Sequence, residues 1–76
     1  MNNKQAGERL AATIGDHLKA RRRSLSWLAD EIGMKYPTLR RQLKERPEKL
    51  GLFTVVSIAY ALNLDADELL FPQVAA

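Results

Sequence analysis

The sequence predicts an all-α fold, a compact five-helix domain, and three observations carry that expectation. Apolar residues recur at intervals of three and four along most of the chain, and the most strand-like segment, LFTVVSIAYAL, does not alternate apolar with polar residues. Residues that start or stop helices punctuate this pattern at Ser24, Gly33, Pro37, Pro47 and Asp65. Seventy-six residues hold one core and no second lobe, and 46% hydrophobic with 28% charged residues is the composition of a folded domain.

The first helix is expected from about Glu8 to Arg22, with Leu10, Ile14 and Leu18 spaced by four on one face. Residues 1–7 are expected as a flexible N-terminal arm ahead of it, whose MNNK could reach a ligand. Ser24 reads as the N-cap of a second helix, Leu25 to Ile32, whose Leu25, Leu28, Ala29 and Ile32 face inward. Gly33 closes that helix, because glycine takes the left-handed conformation of a helix C-terminus without steric cost. Proline is tolerated in a first helical turn and biases the residue before it away from helical geometry, so Tyr36 is expected as N-cap and Pro37 as the first residue of a third helix running to Glu45. Two short helices joined by a tight glycine turn suggest a helix-turn-helix.

Pro47 ends the third helix, and PEKLG reads as a loop. A fourth helix is expected from Phe53 to Leu62, with Val55, Ile58, Ala59 and Leu62 on one face and Phe53, Val56 and Tyr60 on an adjoining one. A helix so broadly apolar is expected to be the buried centre of the bundle, with a subunit contact as the alternative for its second face. A strand is rejected for this segment, since its apolar residues do not alternate and a lone strand would have no partner for its backbone. Asp65 and Glu68 resemble a capping box opening a fifth helix through Leu69, Leu70 and Phe71 to Pro72. The domain is thus expected over residues 8–71, with 72–76 a frayed tail.

Composition narrows the function. No cysteine is present and His17 is the single histidine, so no thiolate site or lone-histidine zinc site can be assembled, and no metal or other cofactor is expected. No apolar run approaches a membrane span and the first residues have no signal-like apolar region, so a cytoplasmic chain without a membrane partner is expected. The net charge of +3 is unevenly placed: residues 19–49 hold ten cations against four acidic residues, whereas residues 50–76 hold three acidic residues and no cation. A basic middle block between neutral and acidic segments suits one face meeting a polyanion, although basic runs are also common on solvated helix faces. No paired carboxylates, nucleophile with a base, or phosphate-cradling glycine loop appears, so an enzyme is not expected.

The stretch SLSWLADEIGMKYPTLRRQL, Ser24 to Leu43, resembles the lambda-repressor and Cro-like (XRE-type) helix-turn-helix DNA-binding family. Ala29 matches its small residue inside the second helix, Gly33 its turn glycine, and Leu28, Ile32, Met34 and Leu39 its hydrophobic positions. The later VVSIAYALNLDADELL is similar to the family's fourth and fifth helices, so the resemblance covers roughly residues 10–71. Two positions depart from the pattern. Leu25 stands where many members carry a phosphate-contacting glutamine, and Gln42 stands where a hydrophobe is usual, with Leu43 after it, so the third helix is expected in a slightly rotated register.

The resemblance implies a regulator of transcription, a small repressor of the bacteriophage or bacterial type, that inserts the third helix in the major groove of double-stranded DNA. Tyr36, Pro37, Thr38, Arg40 and Arg41 are then the base-reading residues, with Arg40 the first choice for a guanine edge and Arg41 for base or backbone. Ser26, Trp27, Lys35, Lys44 and Arg46 are the expected phosphate contacts. Trp27 has partial core packing as its alternative role. Lys19 and Arg21 to Arg23 lie at a helix C-terminus, where cations are favoured by the helix dipole without any ligand, and His17 and Met34 read as structural. A homodimer through the fifth helix or the Phe53, Val56 and Tyr60 face is compatible with the residues, as is a monomer. The competing class is a protein-interaction module on the same scaffold, such as an antitoxin or adaptor.

Overall fold

The computed structural model of the chain describes residues 3–70, which form five α-helices and one 3-10 turn, with no strand among them. The helices are α1 (Asn3–Ala20), α2 (Leu25–Ile32), α3 (Tyr36–Glu45), α4 (Leu52–Ala61) and α5 (Ala66–Leu70), and the 3-10 turn Pro47–Lys49 lies within the expected loop. Phe71 and Pro72, expected to end the fifth helix, and the expected tail lie outside the described residues. The radius of gyration, 11.4 Å, is that of a tightly packed chain of this length. Ile14 and Leu18 of α1, Leu28 and Ala29 of α2, Leu39 of α3, and Val55, Ile58 and Ala59 of α4 meet Leu62 and Leu69 in one core. No described helix is long and apolar enough to cross a membrane.

Three helices close in the same way, and the closures fix the turns between them. After α2, Gly33 sits at φ 71°, its N–H donating to the Asp30 carbonyl at 3.2 Å while the Met34 N–H donates to the Ala29 carbonyl at 2.9 Å. This paired pattern is the Schellman closure expected of the glycine. The same pattern ends α1 with Arg22 at φ 55° and α4 with Asn63 at φ 60°. Asparagine tolerates that conformation and arginine accepts it at a steric cost; α1 thus ends at Ala20, two residues before the expected end at Arg22. The Ser24 cap accepts the Trp27 N–H at 3.0 Å, and the Glu68 carboxylate accepts the Asp65 N–H at 3.0 Å, one half of a capping box, while the Glu68 N–H donates to the Asp65 backbone carbonyl at 3.0 Å.

Several expectations need correction. The first helix begins at Asn3, so residues 3–7 of the expected arm are helical. The reason is tertiary. The beginning of α1 packs along the Pro47–Lys49 turn, where Gly7 and Pro47 are buried, and this contact is invisible to helical periodicity. A Cβ built at Gly7 would lie 2.5 Å from the Glu48 nitrogen and 2.7 Å from the Pro47 carbonyl carbon, so only glycine permits the approach. Gly7→Ala is therefore expected to destabilise the domain by about 1–2 kcal/mol, overpacking exceeding the gain in helix propensity. A thermal melt followed by circular dichroism checks this, and an unchanged or raised midpoint would contradict the packing.

Lys35, at φ −70° and ψ 135°, is the N-cap of α3 in place of Tyr36, and Pro37 is the second helical residue. The Lys35 carbonyl accepts the Leu39 N–H at 3.0 Å, starting the ladder one residue early. Proline still costs no hydrogen bond there, because the first four N–H groups of a helix have no intrahelical partner. The fourth helix also starts one residue early, and its second apolar face is not buried: Phe53 is 85% exposed, Tyr60 86% and Val56 47%. Only α2 and α5 pack substantially on α4, through Val55, Ile58 and Ala59.

Candidate nucleic-acid interface

The sequence of α3 gives it one inward edge and a wide polar face. Leu39 is fully buried, Gln42 and Leu43 are half-buried, and the remaining residues of the helix point to solvent. Gln42 and Leu43 thus share the role of the hydrophobe expected near this position, and the buried Gln42 Oε1 has no hydrogen-bond partner among the described residues. The α3 helix is seated on the core by Leu39 and Leu43.

Tyr36, Pro37, Thr38, Arg40 and Arg41, the expected reading residues, are all exposed. Tyr36, Pro37, Arg40 and Arg41 line one shallow depression together with Lys44 and Glu45. Their spacing by three, four and seven residues explains this, because it stacks them along one side of the helix. Thr38, exposed three residues before Arg41, stands on the same side of the helix. Lys44, expected on the backbone side, instead shares the depression with the arginines, and Glu45 is an acidic member that the charge count alone did not place there. Its carboxylate lies 3.8 Å from Arg41 Nε, with both side chains largely in water. Such an exposed pair contributes little to stability and yields readily to a stronger anion.

Lys35 and Arg46 cap the two ends of α3 and are exposed, so five cations lie along about 15 Å of helix. Among the described residues Arg41 alone has a carboxylate partner. The first turn of α2 holds the remaining expected contacts. Ser26 is exposed, whereas Trp27 is half-buried and packs against the core. The Arg23 guanidinium lies 5.0 Å from the centre of the Trp27 ring, a cation–π contact that helical periodicity does not reveal. Trp27 thus has the partial core packing named as its alternative role, with part of its surface still exposed. Arg21 bonds the end of its own helix, its guanidinium 3.1 Å from the His17 carbonyl and 3.0 Å from the His17 ring nitrogen, which is the structural use expected at a helix C-terminus.

Chemically, this surface can bind anions and read planar edges. Arginines present paired donors, and Tyr36 adds an aromatic face with a hydroxyl. The described residues contain no cluster of metal-ligating side chains. No protein-family model matches the chain, and neither a curated protein nor a solved structure matches it.

Proposed function

We propose that this chain is a sequence-specific regulator of transcription that binds double-stranded DNA, a small repressor of the lambda-repressor and Cro-like kind acting in the cytoplasm, at the nucleoid. The observation that carries the reading is the placement of Arg40, Arg41 and Lys44 on the exposed side of a helix whose other side is anchored by Leu39. A short helix held this way fits the roughly 12 Å wide major groove, and its arginines can each donate two hydrogen bonds to guanine O6 and N7. Lys35 and Arg46 at the helix ends, with Ser26 and the free amides at the start of α2, then meet phosphates on either side. Trp27, half-buried at the start of α2, stands beside these phosphate contacts, and Thr38, three residues before Arg41, belongs to the reading face.

A protein-interaction module on this scaffold is the second reading, and the uncovered apolar side of α4 favours it. That reading gives no reason for five cations along α3. Equilibrium binding of the intact chain to duplex DNA across a range of salt tests the first reading. Retention of duplex that weakens steeply with salt supports it, and absence of binding at low salt overturns it.

A further inference from the structure

We infer that the groove between the C-terminal turns of α2 and α4 is a docking site for a basic amphipathic helix of a different protein. The groove is lined by apolar Ile32, Val56 and Ala61 together with Glu31, Ser57 and Tyr60. Tyr60 continues into a second depression that holds Asp65 and Glu68, and no cation lines either one. Exposed Leu52, four residues before Val56 and eight before Tyr60, extends the apolar line along α4. Single exposed hydrophobes are ordinary, but a row of them leading into an acidic groove is not.

Charge chooses the occupant. No Lys or Arg occurs within α2 or from residue 50 to residue 70, so the side of the molecule that holds the groove is acidic where α3 is basic. The last turns of two helices also meet there, and a helix C-terminus favours cations. Nucleic acid and anionic lipid are repelled by such a surface, and a cationic partner is attracted. A second copy of the chain is a poor occupant. Across a two-fold axis it presents the same carboxylates, and the Pro47–Lys49 turn beyond Leu52 sets exposed Glu48 beside Lys49, which leaves no net attraction. The α3 helix of a copy has the cations but no exposed Leu, Ile, Val or Met to fill the apolar line. With no strand among the described residues to be extended by an added one, a helix laid along α4 is the form that matches side chains spaced by four. The inference does not rest on DNA binding, and it is tested without DNA, so the two can fail separately.

Fluorescence anisotropy of a labelled synthetic helical peptide, with leucines on one face and lysines on the others, measures the binding to the intact chain. The lysine peptide should bind saturably and more weakly as salt is added, whereas the same peptide with glutamate at each lysine should bind about tenfold more weakly or worse. Glu31→Lys should lower the affinity for the lysine peptide about tenfold, and Tyr60→Ser, which changes no charge, should also lower it. Asp16→Lys makes the same charge change in the middle of α1 and should cost less than about twofold, while Arg40→Ala leaves the affinity unchanged. Circular dichroism of each variant should match the parent, since all four side chains are exposed. Equal binding of the two peptides, equal losses from Asp16→Lys and Glu31→Lys, or a folded Tyr60 variant that binds like the parent would overturn the inference. So would sedimentation of the chain alone showing dimers that Tyr60→Ser dissociates, because a second copy would then be the occupant.

Discussion

Leu39→Ala lowers the unfolding free energy by about 2–5 kcal/mol, because it removes a fully buried side chain and leaves a cavity that short helices can only partly close. For a chain of 76 residues that is a large share of a total of about 5–10 kcal/mol. The thermal midpoint should fall by about 10 °C or more. Leu39 is also the one fully buried residue of α3, so its loss loosens the helix that presents Arg40 and Arg41. DNA affinity should therefore fall along with stability. Leu52→Ala, which removes the same side chain from an exposed site, should leave the midpoint nearly unchanged. Equal melting of the Leu39 variant and the parent would show that α3 is not seated as described.

Arg40→Ala costs about 1–3 kcal/mol on the preferred duplex and relaxes selectivity at one base position, while Lys44→Ala weakens all duplexes alike. The difference arises from the donors. A guanidinium offers a fork that matches a guanine edge, whereas an ammonium is a point charge that neutralises phosphate. Competition binding of both variants, with a duplex enriched from a random pool and its single-position variants, separates the two roles. Lys44 shares the depression with the arginines, which makes this comparison more demanding than charge counting. If both changes weaken random duplex equally, Arg40 reads no base.

The five helices and most of the core were legible because they rest on local signals. Leu28, Ala29 and Ile58 follow helical spacing, and Gly33, Ser24 and the Asp65–Glu68 pair announce helix ends through chemistry confined to one turn. What failed to show was tertiary. The first two turns of α1 form against Pro47 and Glu48, some forty residues away, and only the backbone approach at Gly7 records that contact. The outer side of α4 was misjudged because spacing identifies an apolar face but not whether a neighbour exists to cover it. In the candidate interface, exposure of the cations followed from the position of Leu39. The Arg23–Trp27 contact and the intrusion of Glu45 depend on side-chain directions across a turn, which residue types alone do not specify.

The central claim, that the basic side of α3 engages the DNA backbone and bases, is tested most directly by measuring duplex affinity as a function of salt. With about five phosphates neutralised by Lys35, Arg40 or Arg41, Lys44, Arg46 and a cation near α2, the logarithm of the association constant should fall against that of salt with a slope of about −4 to −5. A flat dependence, or the same slope after Lys35, Lys44 and Arg46 are all replaced by alanine, would contradict it.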